Sequence, residues 1–165
     1  MVRLEAVLNS WKTVRQDTVQ AVADMPDLSY QPTPELMAFR DLAVHVLNAG
    51  HALTQLLLDG TEDMSAAGFR EKMAAYFLSV PANAEAGELV EKLTATLETD
   101  AAELAARPAE FWAGMITRFD GQRLTRLEML QFIKEHELTH RSQMFMYLRL
   151  KGIVPPPTRR KMAKK

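Results

Sequence analysis

Residues 125–157 read TRLEMLQFIKEHELTHRSQMFMYLRLKGIVPPP, and this stretch predicts one long helix with both of its ends marked. Thr125 and Glu128 stand three residues apart before an apolar run, which is the pattern of a capping box. Gly152 suits the position that follows a helix C-terminus, and prolines come directly after it. We therefore predict a helix that begins beside Thr125 and ends near Lys151.

Three further segments carry apolar residues at helical spacing and contain few helix-breaking residues. They span about 4–25, 34–59 and 84–106. Pro34 suits the first turn of the second segment. A shorter helix is predicted near 65–78, and an Asp-Gly turn indicates a small hairpin across 116–124. Four amphipathic helices bury their apolar stripes best as a four-helix bundle, so the predicted fold class is all-α, with a short extra helix between helices 2 and 3.

The composition of the chain is ordinary for a globular domain. Of its 165 residues 47% are hydrophobic and 25% are charged, and the net charge is −1. This charge argues against non-specific nucleic-acid binding. The sequence has no apolar run long enough to span a membrane, and its first residues lack the apolar core of a signal peptide, so we expect a cytoplasmic protein. We predict one domain over 1–157 and a basic flexible tail over 158–165.

All four histidines lie in two short clusters, and the chain has no cysteine. His136 and His140 are four residues apart, so on a helix both rings lie on one face and can reach a single metal ion. Neighbouring residues on that face are apolar, which predicts that it points into the bundle. Buried imidazoles need partners for their ring nitrogens, and a metal ion would satisfy one nitrogen of each. Without thiolates, any metal must be bound through nitrogen and oxygen atoms.

The second helix offers two candidates for a third ligand. His45 and His51 are six residues apart, which separates them by about 120° around a helix. His45 shares its face with apolar residues, so we predict that it points inward and completes the site. His51 shares a more polar strip and is predicted to lie at the surface or rim. Asp41, one turn before His45, is predicted to hold the other ring nitrogen of His45.

The segment His136-Glu137-Leu138-Thr139-His140 also matches the H-E-x-x-H pattern of zinc proteases, in which the glutamate is the general base. The downstream ligand that such proteases need is missing, because no glutamate follows Leu150 and no histidine follows His140. Strand signals are sparse as well. These absences disfavour a peptidase, and we predict instead that Glu137 forms a surface ion pair with Arg141, one turn further on.

Two stretches carry a family resemblance. Residues 136–156 read HELTHRSQMFMYLRLKGIVPP, and residues 41–46 read DLAVHV. The first resembles the last helix of the DinB / YfiT-like superfamily, which reads roughly H-x-x-x-H-R-G-Q, an aromatic residue, L-R and G-x-x-P-P. The second resembles the family's helix-2 motif, in which an apolar run leads to a histidine ligand. One departure is Ser142, where the family commonly has glycine.

The resemblance implies up-down-down-up connectivity and one divalent metal ion held by His45, His136 and His140, with open positions for water or substrate. The same three histidines follow from helical geometry. Zinc and nickel suit imidazole ligands and iron is possible, so the ligand type alone does not select the metal.

The resemblance also bears on activity and assembly. Related families include transferases and isomerases that use low-molecular-weight thiols, so our leading hypothesis is a metal-dependent enzyme that transfers such a thiol to a small electrophile. No catalytic residue is assigned. A non-catalytic, stress-related metal-binding protein, a metal-dependent hydrolase and a plain bundle with core histidines stay open as alternatives. Family members are often homodimers, and apolar residues expected to be exposed at Phe111, Trp112 and Met115 would suit a dimer.

Overall fold

The computed structural model describes residues 3–164, which form four long helices, three short helices and one hairpin. The long helices are α1 (Leu4–Asp24), α2 (Phe39–Leu58), α4 (Ala86–Ala105) and α6 (Arg126–Leu150). The short ones are α3 (Phe69–Ala74), α5 (Ala109–Ala113) and α7 (Pro156–Met162). The hairpin pairs β1 (Met115–Thr117) with β2 (Arg123–Thr125) in antiparallel register, with Ile116 opposite Leu124.

Two apolar clusters fix the directions of the long helices. The first joins the N-terminal halves of α1 and α6 to the C-terminal halves of α2 and α4, through residues such as Trp11, Leu130, Leu57 and Leu104. The second joins the opposite halves, through residues such as Val22, Leu148, Phe39 and Leu89. Helices α1 and α6 therefore run one way and α2 and α4 the other. The predicted all-α four-helix bundle with up-down-down-up connectivity is confirmed.

Because α2 and α4 run in the same direction, the chain between them must return along the bundle, and this crossover carries α3. The crossover helix is shorter than the predicted 65–78. Gly68 has a φ of 85°, a left-handed conformation that ends any helix before it, so α3 begins at Phe69. The crossover is attached to α2 by Tyr76 Oη, which donates to Asp59 Oδ2 at 2.9 Å, and by Lys72 Nζ, 3.2 Å from the same oxygen.

Both ends of α6 are those that its sequence predicts. The backbone N–H of Glu128 donates to Thr125 Oγ1 at 3.2 Å, and the Thr125 N–H donates to Glu128 Oε2 at 2.7 Å. At the other end Gly152 has a φ of 77°, and Ile153 N–H donates to the Leu148 carbonyl at 2.9 Å. The capping box and the C-terminal glycine are confirmed, and so is the hairpin predicted across 116–124.

The second helix begins later than predicted. Residues 34–38 form a loop, and α2 starts at Phe39, where its N–H donates to the Tyr30 carbonyl at 2.9 Å. The Gln31 amide donates to the carbonyls of Pro34 and Leu36, and these bonds hold the loop folded. Pro34 therefore belongs to this loop and not to the first helical turn.

The basic C-terminal segment also differs from its prediction as a flexible tail. Pro156–Met162 form helix α7, which contacts α1. Arg159 Nη2 lies 2.9 Å from Asp24 Oδ2, and Arg160 Nη2 lies 2.8 Å from Asp17 Oδ1. Acidic side chains of α1 thus give this basic segment a position on the bundle.

The surface expected at a dimer interface is smaller than its sequence indicates. Trp112 is buried in the first apolar cluster, and Phe111 is half-buried against it, with ring centroids 5.1 Å apart. Of these residues Met115 alone is exposed. The homodimer stays a prediction. No helix within residues 3–164 combines the length and the apolar character that crossing a membrane requires.

Candidate metal centre

Helices α2 and α6 bring three histidines to one point. His45 lies on the N-terminal half of α2, and His136 and His140 lie one turn apart on α6. The Nε2 atom of His136 is 3.2 Å from Nε2 of His45 and 3.1 Å from Nε2 of His140. One ligand atom from each residue lies within 4.8 Å of the others. All three rings are half-buried. We call these residues the histidine trio.

The spacing within the trio fits a shared metal ion. Zinc–imidazole bonds of about 2.0–2.1 Å place two nitrogens about 2.9 Å apart at a right angle and about 3.3 Å apart at the tetrahedral angle. The two Nε2–Nε2 separations, 3.2 Å and 3.1 Å, fall between these limits. A ring nitrogen carries either one N–H or one lone pair, so His136 Nε2 cannot satisfy two neighbours by hydrogen bonds alone. A cation bound to three lone pairs removes this conflict.

Gln143 orients one ring of the trio. Its Oε1 lies 2.7 Å from Nδ1 of His140. An amide oxygen only accepts, so the ring donates its Nδ1–H and its Nε2 keeps a free lone pair toward the other two histidines. This partner of His140 was not predicted from the sequence. Its position three residues after His140 on the same helix was the available signal.

Burial favours the neutral form of two rings of the trio, those of His45 and His136. Burial, together with the neighbouring His140 and His45, lowers the pKa of His136 to about 4. Burial and the nearby His140 also lower the pKa of His45. Imidazole binds a metal through a neutral nitrogen, so these two side chains are in the ligating form at neutral pH without first losing a proton.

Asp41 does not hold His45, contrary to its prediction. Its carboxylate is exposed, and the nearest cation to it is Arg40 Nη1 at 3.9 Å. No hydrogen bond joins it to His45 among the described residues. The prediction was wrong because the two side chains turn different ways. The Asp41 carboxylate turns to solvent, whereas the His45 ring turns toward His136.

Glu137 is not on the surface, and it does not pair with Arg141. It is 1% exposed and faces α1, where Trp11 Nε1 donates to Oε2 at 2.6 Å. Arg15 donates to the same carboxylate through Nε at 2.7 Å and Nη2 at 2.8 Å, and Thr18 Oγ1 donates at 2.9 Å. Arg141 instead lies 3.4 Å from Asp17. Successive residues are separated by about 100° around a helix axis. Glu137 therefore points away from the trio and is not placed as a general base there.

His51 was predicted to lie at the surface or rim, and the structure also gives its ring a buried partner. Its Nδ1 lies 3.0 Å from both carboxylate oxygens of Asp100, a buried residue of α4. Gln55 Nε2 also donates to Asp100, at 3.1 Å. The ring is half-buried and stands apart from the trio, as its angular separation from His45 predicts. The acid on α4 that holds it could not be identified from α2 alone.

A pocket opens beside the trio. It has a volume of about 820 Å³ and is lined by His45 and His136 together with side chains from the crossover, the hairpin and the bundle. This volume lies within the range of about 300–1,000 Å³ typical of small-molecule sites. The arrangement can thus place a small molecule next to a metal ion bound by the trio.

Three imidazoles that converge from facing helices, next to a small-molecule pocket, define a histidine-lined four-helix bundle. A sequence model of the DinB family matches residues 1–164, and the chain belongs to that family, as its last-helix and helix-2 motifs indicate. The chain is 27% identical over 124 residues to the uncharacterized protein YjoA of Bacillus subtilis (strain 168). The matched region covers 75% of this chain and 73% of YjoA. It is also similar to the crystal structure of that DinB-like protein, with a TM-score of 0.68 and 20% identity over 89% of this chain and 92% of the other. That structural likeness supports the fold.

Proposed function

We propose that this protein binds one divalent metal ion, zinc, nickel or iron, through His45, His136 and His140, and that it transfers a low-molecular-weight thiol to an electrophilic small molecule. The observation that carries the proposal is the convergence of three Nε2 atoms beside a pocket of about 820 Å³. The first observation supports a metal ion, and the second supports a small molecule next to it.

The donor set supports activation of a thiol. Among residues 3–164 no carboxylate joins the trio, so three neutral ligands would leave the ion its full charge. A divalent metal in such a site supplies Lewis acidity that lowers the pKa of a bound thiol or water. In the transfer, the sulfur forms a bond to the electrophilic carbon, the leaving group departs with its electron pair, and the thiol proton passes to solvent. Gln143 holds the His140 ring in the orientation that this site requires.

A metal-dependent hydrolase is the less favoured alternative. In the H-E-x-x-H proteases the glutamate must reach the metal-bound water. Here the Glu137 carboxylate is occupied by Trp11, Arg15 and Thr18. A protease assay on casein tests the point, because detectable hydrolysis that is lost in Glu137→Gln would restore this alternative.

The metal site is tested by elemental analysis of the tag-free protein, since a polyhistidine tag would carry its own metal. We expect about one divalent ion per chain, lost in His45→Ala and in His140→Ala. His51→Ala is the matched control, because it removes a histidine of α2 outside the trio and should keep the metal. If the wild-type protein takes up no metal after incubation with zinc, nickel or iron, the metal site and the enzymatic proposal both fall.

The activity is tested with metal-loaded protein, a fluorogenic alkylating electrophile and each of bacillithiol, mycothiol and glutathione. We expect metal-dependent conjugation with one of these thiols and none in His45→Ala. Metal binding without any conjugation would indicate the non-catalytic, stress-related metal-binding protein instead. Such a protein would gain stability from the metal without providing an exchangeable coordination position.

Location and assembly complete the proposal. Free thiols persist in reducing compartments, so we propose that the protein works in the cytoplasm. We also propose a homodimer, on the strength of the family. Light scattering at micromolar concentration checks the second point, and a monomeric mass would contradict it.

A further inference from the structure

Aromatic side chains continue outward from the trio along one wall of the pocket. The Phe132 ring centroid lies 6.5 Å from that of His136 and 5.6 Å from that of Phe119. Phe119 in turn stacks on Phe69, the first residue of α3, with centroids 6.0 Å apart. Arg118 lies over the Phe132 ring, 4.8 Å from its centroid, and supports this wall from the hairpin. We call the whole cavity the aromatic pocket.

The other walls of the aromatic pocket are apolar too. Ala49 and Leu53 of α2 are buried beneath it, and Met73 and Phe77 close it from the crossover. Among the lining residues Arg70 and Glu71 carry the charges; they are exposed neighbours of opposite sign on α3. These charges offset each other, so the lining side chains away from the trio favour neither an anionic nor a cationic body.

Two exposed phenylalanines border this space. Phe77 and Phe119 are 46% and 44% exposed, although both line the aromatic pocket. Aromatic surface left in water carries a free-energy cost that a ligand with an apolar body would remove. Since His45 and His136 also line the pocket, such a ligand would extend from the trio to these rings.

The opposite approach to the trio is polar. His140 does not line the aromatic pocket and bonds instead to Gln143, which is exposed. Gln143 thus gives the His140 side of the trio a polar, exposed neighbour, so we assign the hydrophilic thiol to this side and the aromatic pocket to the other reactant.

We propose that the aromatic pocket binds the electrophile, and that this substrate is a neutral compound with an aryl or medium-chain alkyl body and a polar reactive end at the trio. This inference rests on the proposed function, since it assigns the second substrate of the same site. It names Phe77 and Phe119 as residues that determine which substrates bind.

Alkyl hydroxamates test the inference separately from the reaction, because their head group binds metals and their tail can be varied. Isothermal titration of tag-free, zinc-loaded protein with the two- to eight-carbon series gives the affinity at each length. We expect affinity to rise about fourfold for each added methylene until the pocket is filled. Phe77→Ala and Phe119→Ala should flatten this rise, and Ala74→Trp, which narrows the pocket from α3, should end it at a shorter chain.

The control variant is Met146→Ala, since Met146 is 55% exposed on α6 and lies outside the aromatic pocket. It should keep the wild-type dependence on chain length. All four substitutions change exposed residues, so the fold should tolerate them.

The outcomes separate the two proposals. Equal affinity for all chain lengths, with binding lost in His45→Ala, would overturn the pocket assignment and leave the metal site standing. Binding of the long hydroxamates that persists unchanged in His45→Ala would overturn the idea of one ligand that spans the trio and the pocket. If no hydroxamate of any length binds the zinc-loaded protein, the metal has no exchangeable position, so the proposed transfer and the pocket assignment both fail while the metal site stands.

Discussion

Arg15 and Glu137 form a buried ion pair across the α1–α6 interface, with Nε of the guanidinium 2.7 Å from Oε1 of the carboxylate. The arginine also donates through Nη1 to the Leu93 carbonyl of α4 at 2.6 Å. One charged pair thus connects three of the four long helices, and Glu137 lies about 100° around α6 from His136.

Loss of one charge of this pair should destabilise the fold. In Glu137→Gln a buried guanidinium loses its counter-charge, and removing one partner of a buried pair costs about 3–5 kcal/mol of unfolding free energy. Urea denaturation measures the change. Glu135→Gln is the matched control, because Glu135 is exposed on the same helix and should change stability by less than about 0.5 kcal/mol. Similar losses for both variants would contradict the structural role of Glu137.

Gln143 should tune metal affinity without being a ligand. Gln143→Ala removes the acceptor for His140 Nδ1–H, and loss of such an orienting partner weakens metal binding by about 10-fold or more. Gln143→Glu keeps an acceptor and should bind at least as tightly as wild type. Competition with a chromophoric chelator measures both. Gln131→Ala, which affects a bond to Glu135 away from the trio, should have no effect. Wild-type affinity in Gln143→Ala would refute the role.

The metal-free protein should lose stability as the pH falls below about 6.5. The pKa of His136 is about 4 in the folded chain and about 6.5 when unfolded, so in this window the unfolded chain takes up a proton that the folded chain does not. Above about pH 6.5 the protonation of His136 does not reduce the unfolding free energy. Below that pH the unfolding free energy decreases as the pH falls toward 4. Partial exposure of the ring keeps the slope below about 1.4 kcal/mol per pH unit.

Urea denaturation of chelator-treated protein between pH 7 and 5 checks this prediction. His136→Gln should give a shallower dependence on pH than wild type. Parallel curves for the two proteins would show that His136 does not titrate as described.

Asp100 should matter for stability but not for the metal. Asp100→Asn weakens the contacts to His51 and Gln55. Because a hydrogen bond to a charged group contributes about 1.5–3 kcal/mol, we expect the unfolding free energy to fall by about that amount. Glu98→Gln, an exposed acid on the same helix, is the control. Denaturation and elemental analysis of the two variants give the comparison. Metal lost in Asp100→Asn while the protein remains folded would connect His51 to the trio and contradict the separation seen here.

The sequence predicts features that depend on one helix at a time. The ends of α6 follow from Thr125 and Gly152, because caps are local. That His136 and His140 lie on one face of α6 follows from the helical period alone. That these rings meet His45 also required the correct choice of inward face on α2, which the apolar neighbours of His45 supplied.

Features that depend on two helices were not predictable in the same way. Glu137 has Lys134 and Arg141 about one turn away on its own helix, and no local sign shows that Trp11 and Arg15 of α1 would enclose it. The same holds for Asp100 and His51, whose contact joins α4 to α2. The later start of α2 depends on backbone bonds to Leu28 and Tyr30, which no helical pattern contains.

The crossover has a consequence for how this fold can change. Helix α3 has no buried residues, yet it supplies one wall of the aromatic pocket. Substitutions at its exposed positions Arg70, Glu71 and Ala74 can reshape the pocket with little change to the apolar clusters of the bundle. Under the proposed function, substitutions at these positions would change which substrates bind at little cost in stability. On the same proposal, replacement of this one short segment would change specificity while the long helices and the three histidines stay the same.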